Sequence, residues 1–157
     1  MVRMPEPLCQ GYAIRDYRDG EIQRLHQIDR ICFPPHMAYS RAELLFYLEH
    51  PSAICKVAES GEEVVGFALG RVERNGYGHV ITLDVVPEAR RRRVGTALME
   101  ALHGELRARQ VSQVVLEVDV SNEAAQRFYD LLGYRRDELL RGYYHERQDA
   151  YRMILML

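Results

Sequence analysis

Lysine is nearly missing from this 157-residue chain: Lys56 stands alone, and every other base is an arginine. That is a compositional habit and assigns no function. Neither sign of charge dominates, because the formal net charge is only -2, which excludes a global bias toward nucleic acid or a membrane surface. Cysteine is scarce. Cys9, Cys32 and Cys55 are odd in number and lack metal-ligand spacing, which argues against a disulfide framework and fits a reducing cytoplasm. No apolar run approaches the ~20 residues of a membrane span. The N-terminal MVRMPEPLCQ lacks the apolar core of a signal peptide. There is no internal repeat and no low-complexity linker. The expectation is one domain over residues 1–157, soluble and cytoplasmic, burying roughly 68–70% of the unfolded surface.

What is present alternates between strand and helix signals. Gly11 to Tyr17 reads as a strand. Asp19 is placed to cap a helix carrying Ile22, Leu25, Ile28 and Cys32 on one face, which Phe33-Pro34-Pro35 breaks. Ser40 and Glu43 form a capping-box pair before a short helix with Leu44, Leu45 and Leu48. Ala53 to Glu59 and Val64 to Glu73 read as a hairpin through Ser60-Gly61-Glu62, and a turn over Asn75 to Gly78 leads to a strand from His79 to Val86. Val94, Ala97, Leu98, Ala101, Leu102 and Leu106 make the stripe of a longer helix. Gln113 to Val120 is a valine-rich strand, and Asn122 opens a helix that ends at Gly133, a natural C-terminal cap. Tyr134 to Leu140 and Ala150 to Met156 close the chain as strands. The order β-α-α-β-β-β-α-β-α-β-β implies a mixed sheet with helices on its faces.

The segment LDVVPEARRRRVGTALM, Leu83 to Met99, is the most telling. A strand ends at a proline, four arginines follow, and a helix opens at once. The unpaired N–H groups and the dipole of a helix start favour an anion. With a small residue at the turn they form a phosphate site. A solvated charged turn is the ordinary reading of such a run, and nucleic-acid binding is a third. Without a second basic stripe, and with Glu88 beside it, the nucleic-acid reading is set aside.

These residues resemble the GNAT superfamily of N-acetyltransferases over nearly the whole chain. The family's acyl-CoA signature is Gln or Arg, two residues, Gly, one residue, then Gly or Ala. Arg90 and Gly95 fill its ends, while Arg93 replaces the middle glycine. The second signature is met by Asn122, Ala125, Phe128-Tyr129 and Gly133-Tyr134. The resemblance implies an α/β (α+β) fold with a mixed, mostly antiparallel sheet of six to seven strands and about four helices. It also implies acetyl-CoA as donor, held by Leu83, Val85, Arg90, Arg91, Arg92, Arg93, Val94, Gly95, Thr96, Asn122 and Tyr129. The tail Gly142 to Met153, with Tyr143, Tyr144, Asp149, Ala150 and Tyr151, is similar to protein Nα-acetyltransferases of the ribosomal-protein alanine (RimI) type and their archaeal and eukaryotic relatives. The acceptor so implied is a protein N-terminus, a ribosomal protein among the candidates. The RimI type often has Phe-Pro-Trp where this chain, which has no tryptophan, reads Phe33-Pro34-Pro35.

Acyl transfer to an amine needs a base for the amine, N–H donors for the developing oxyanion and an acid near the thiolate. Glu117 interrupts the apolar run VVLEVDV and is the first candidate base, since burial raises a carboxyl toward the useful range. A solvent-facing strand position is its plainer reading. His79, at the head of a strand, is the second candidate, and as plainly a surface histidine. By the resemblance Tyr129 is the acid, although packing beside Phe128 and Leu132 also explains it. Asn122 is placed to cap its helix, and the resemblance implies that it also touches CoA. The resemblance also implies that Tyr143 and Tyr144 flank the acceptor opposite Phe33 and Pro34, although a β-edge aromatic pair and a plain helix end are the simpler readings. His145-Glu146 has no partners at metal-ligand spacing, so no metal is expected. Two other functions stay open, a GNAT enzyme of a small amine, amino acid or polyamine and a non-catalytic acyl-CoA-binding module.

Overall fold

The computed structural model describes residues 11–144 and 148–157. The described residues form seven strands and four helices, in the order β1 Ala13–Asp16, α1 Ile22–Cys32, α2 Arg41–Leu48, β2 Ile54–Ser60, β3 Glu63–Val72, β4 Gly78–Val85, α3 Val94–Ala108, β5 Gln113–Asp119, α4 Glu123–Leu131, β6 Arg135–Tyr144 and β7 Gln148–Met156. One mixed sheet runs in the order β1-β2-β3-β4-β5-β7-β6. Every neighbouring pair is antiparallel except β4 and β5. α3 packs on one face through Leu98, Leu102 and Leu106, all fully buried. Gly66 and Gly70 in β3 leave room for it, since a Cβ at either would press on Leu98 or Leu102. α1 contributes Leu25 and Ile28 to the core, and α2 contributes Leu44. No helix among the described residues is long and apolar enough to cross a membrane.

Local chemistry explains most element ends. The Ser40 hydroxyl accepts from the Glu43 amide, and Glu43 reaches back to the Ser40 amide. Asn122 accepts from the Ala125 amide, and Gly133 ends α4 at φ +100, a conformation that favours glycine. One expectation is corrected. The residue before α1 is Glu21, not Asp19, and among the described residues no side chain caps that helix. Glu21 is instead held by the Arg15 guanidinium at 2.7 Å and by the Arg18 amide at 2.8 Å. These charge-assisted bonds fix the β1–α1 turn without Asp19.

Two irregularities in β4 shape the site. Leu69 pairs with Thr82 and Gly70 with Val80, leaving Ile81 unpaired. This is a β-bulge, and it reverses the alternation of faces beyond it. His79, beside Arg71, already faces the α1–α2 side, because the Arg71 guanidinium lies over the Tyr47 ring of α2. Past the bulge Thr82 and Asp84 face that side as well. The second irregularity is a parting of strands. β4 and β5 pair only at Gly78↔Val114 and His79↔Val115, and beyond those residues they diverge and open a gap.

Candidate active site

The gap carries free backbone donors. Val86 gives its amide to the Val65 carbonyl, so the amides of Val85 and Leu83, offset by odd numbers, turn to the opposite edge. That edge is where β5 has left. The Val85 carbonyl is already occupied on that side, by the Cys32 thiol at 3.4 Å and by Arg90 Nε at 2.9 Å. Arg90 thereby pins the end of β4. A strand edge with unpaired N–H groups in a cavity is a ready receptor for a carbonyl oxygen.

Beyond a 3-10 turn at Pro87–Ala89 the chain makes its basic turn. Arg91 and Arg93 both take φ 64, the left-handed region. Left-handed residues in such a turn gather successive N–H groups into an anion-binding concavity. Arg93 is the residue before α3 and offers no side-chain cap. The first amide known to be satisfied in that helix is Ala97, bonded to Arg93, so those of Val94, Gly95 and Thr96 precede the ladder. A cleft of about 550 Å³ opens here, lined by Arg91, Arg93, Gly95, Thr96, Asn122 and Tyr129 among others. A diphosphate fits this lining in charge, donor type and space. Arg93 stands where the acyl-CoA signature has glycine, and its backbone takes the conformation a glycine would take. The left-handed form costs about 1–2 kcal/mol for a residue with a Cβ, and glycine loses about 0.5–1 kcal/mol through chain entropy. Arg93→Gly is therefore expected to raise Tm by a few degrees with CoA affinity kept. Thermal melts and CoA titration check this, and a lower Tm would show the Arg93 side chain to be stabilising.

The other expected residues fall in several places. Arg92 is turned from the cleft, its Nη1 donating to the Tyr12 hydroxyl at 2.8 Å. Leu83, Val85, Val94 and Phe33 line the cleft with the arginines. Pro34 accepts the amides of Met37 and Ala38 and shapes the loop after α1 without lining the cleft. An inner cavity of about 140 Å³ continues from the cleft, bounded by Phe33, Met37, Tyr39, Leu83, Glu117 and Tyr129 among others. Tyr129 borders both spaces. Its ring packs edge-on against Phe128 and Tyr134, and burial, with the charge of Asp84, keeps its hydroxyl well above the ordinary phenol range. Tyr143 is 46% exposed near the end of β6, and burial of its ring first, then the charge of Glu117, raises its phenol to about 12. The Tyr144 side chain and the His145-Glu146 pair lie outside the described residues.

The two candidate bases form one unit. His79 Nε2 lies 2.7 Å from Glu117 Oε2, and its Nδ1 lies 3.0 Å from Glu73 Oε1. Arg71 Nε donates to the same Glu73 oxygen at 2.8 Å. Glu117 is therefore not a free solvent-facing strand residue, since only 15% of its side chain is exposed. Burial opposes charge on His79, but the carboxylates of Glu117 and Glu73 outweigh it and hold the imidazole above its ordinary value. Glu73 escaped the sequence reading. It stands at a turn end with no local pattern, and only the β3–β4 pairing brings it to His79.

Splayed parallel strands, free strand amides and a diphosphate cradle at a helix start define an acyltransferase that takes its acyl group from a coenzyme A thioester. The family is specific: the profile of the Acetyltransferase (GNAT) family matches residues 22–134, and the chain belongs to that family, with acetyl-CoA as donor. It is 33% identical over 158 residues to an N-alpha-acetyltransferase of Sulfurisphaera tokodaii, an alignment covering 90% of this chain and 91% of the relative. Among solved structures it is similar to Ard1 from Thermoplasma volcanium, with a TM-score of 0.85 at 28% identity over 94% of this chain and 98% of that one. It shares its fold with the ribosomal-protein-S18-alanine N-acetyltransferase of Escherichia coli, with a TM-score of 0.83 at 24% identity over 92% and 93% of the two chains. The six-to-seven-stranded sheet with four helices expected from the sequence is the observed architecture.

Proposed function

We propose that this chain acetylates the free α-amino group of a protein or peptide N-terminus, with the His79–Glu117 pair at the strand parting as its proton acceptor. The hydrogen bond of 2.7 Å between these two side chains, with Glu117 on the wall of the inner cavity, is the observation that carries the reading. An α-amino group has an ordinary pKa of about 7.7–8.0, so much of it is protonated at neutral pH and must lose a proton to attack. Glu117 faces the cavity and His79 stands behind it, so a proton taken at Glu117 can be shared with the ring.

Acetyl-CoA supplies an activated acyl group. The amides of Leu83 and Val85 are placed to receive its carbonyl oxygen, where negative charge develops as the amine adds. Val94, Gly95, Thr96, Arg91 and Arg93 would hold the diphosphate, with Asn122 on the same cleft wall, while the Arg92 side chain stays on Tyr12. Tyr129 stays in its O–H form through the working pH range and donates a hydrogen bond to the departing sulfur. Because a thiol is ordinarily the stronger acid, near 8.5, full proton transfer from this raised phenol is uphill. Its contribution is then charge stabilisation rather than proton delivery. Phe33, on the wall of the inner cavity, and Tyr143, near the end of β6, flank the acceptor, and Pro34 acts through the loop it shapes.

Release of CoA from acetyl-CoA across an amine panel tests the reading. The panel holds free-N-terminus peptides of varied first residue, an alanine-headed ribosomal peptide among them, N-blocked lysine peptides, amino acids and polyamines. Turnover confined to free N-termini is expected. Turnover on small amines alone would replace the acceptor, and tight acetyl-CoA binding without turnover on any amine would leave a binding module.

A further inference from the structure

Two carboxyl groups meet in the core directly behind the acetyl-holding edge. Asp29 of α1 is 0% exposed and Asp84 of β4 is 1% exposed. Asp29 Oδ2 accepts the Tyr39 amide at 2.6 Å, and Asp84 Oδ1 accepts the Thr82 hydroxyl at 2.5 Å. The remaining oxygens, Asp29 Oδ1 and Asp84 Oδ2, have no donor among the described residues, and the two side chains are within hydrogen-bonding reach of each other. Two bare carboxylates in that position would repel, each with an unsatisfied buried oxygen. Arg90, the cation that acts on Asp84, gives its Nε to the Val85 carbonyl. His26 and Glu43 act on Asp29 from α1 and α2 with opposite signs. Cys32, Cys55 and Tyr129 also face Asp84, and each is neutral at neutral pH. A proton between the two carboxyls answers both the repulsion and the missing donor.

We propose that Asp29 and Asp84 share one proton, and that this carboxyl–carboxylate bond is a positioning link that ties the acceptor wall, residues 33–40, to the strand holding the acetyl group. The route is short. Asp84 lies between Leu83 and Val85, whose amides face the gap, and it reaches α1 only because the bulge at Ile81 turns it there. Asp29 passes the tie to the Tyr39 amide, and Phe33, Met37 and Tyr39 line the inner cavity. Neither aspartate touches the reacting atoms, so both are positioning residues. The functional half of the link rests on the acetyltransferase reading of that cavity, and the shared proton does not.

Burial first, then the charge of Asp29, pushes Asp84 well above the ordinary carboxyl range. A carboxyl raised in the folded state binds a proton that the unfolded chain has released. Stability therefore falls as pH climbs from the ordinary carboxyl range toward the raised value. Asp84→Asn keeps the shape and removes the charge: its oxygen accepts from Thr82 and its N–H donates to Asp29.

The experiment compares the wild type with D84N in three readouts. In melts without ligand, the two are expected to match at about pH 5, with D84N higher by several degrees at about pH 9. Amide exchange over residues 33–43, taken as the wild-type to D84N ratio at each pH, is expected to rise from near one to about tenfold over the same range. The ratio of acceptor-peptide KM values is expected to rise in parallel while kcat stays close. D84N melting at or below the wild type at about pH 9 would overturn the shared proton. A flat exchange ratio would overturn the positioning link. The melts and exchange use no substrate, so absence of turnover on free N-termini would reject the acceptor reading and leave these two results standing.

Discussion

Glu117→Gln is expected to lower kcat by about 10²–10⁴-fold near neutral pH, the range over which a positioned general base acts. Affinity for acetyl-CoA is expected to stay unchanged, since Glu117 lines the inner cavity and not the diphosphate cleft. The loss shrinks as pH rises, because the α-amine then sheds its proton unaided above about 8. In the wild type the same chemistry gives an ascending limb in kcat/KM. The pair can accept a proton only after His79 has lost its own, and Glu117 and Glu73 hold that proton to a higher pH than an ordinary histidine would. Activity therefore rises as pH passes through a value above about 6.5. Glu73→Gln removes one of the two carboxylates and moves that limb to lower pH while leaving Glu117 in place. The matching stability contribution of His79 is fully present below its unfolded value and is lost as pH rises through the folded one. Steady-state kinetics from about pH 6 to 9.5 measure all of this, and an E117Q loss that stays constant across the range would remove Glu117 as base.

The order of elements was legible because each carries a local signal. Ser40 with Glu43, Asn122 and Gly133 mark helix ends in the sequence itself, and valine-rich VVLEVDV reads as a buried strand. The basic turn was legible for the same reason: strand, arginines and helix start are contiguous. What escaped depends on pairing between distant segments. A strict period of two in His79 to Val86 puts His79 on one face and Asp84 on the other. The bulge at Ile81 cancels that, and nothing local announces it. Asp19 looked like a cap because aspartate is a good one, yet Arg15 and Glu21 settle that turn by ion pairing. Asp84 interrupts an apolar strand as visibly as Glu117 does, and it went unread because its partner is 55 residues away on α1. Glu117 and His79 were each identified, but their hydrogen bond is a product of the β4–β5 contact and stands 38 residues apart in the chain.

Gly95→Glu is expected to abolish acetyl-CoA binding at ordinary concentrations while leaving the fold intact. A Cβ at Gly95 would meet Phe128 Cζ at 3.4 Å and Leu83 Cδ2 at 3.9 Å, which are ordinary contacts, so the backbone does not forbid a side chain. Gly95→Ala is then the matched control. It should bind CoA nearly as well as the wild type and gain about 0.5–1 kcal/mol from helix propensity. The glutamate differs by placing a negative charge against the N–H groups that the diphosphate needs. At about 4 Å and an effective dielectric near 20, like charges repel by about 4 kcal/mol, or roughly 10³-fold in affinity before salt screening. If Arg91 or Arg93 pairs with the new carboxylate and cancels that charge, the side chain still fills the cradle and consumes its donors, so both routes lead to the same loss. Calorimetric titration of CoA into G95A and G95E, with melts to confirm folding, separates the alternatives. A folded G95E that binds CoA normally would place the diphosphate somewhere other than the start of α3.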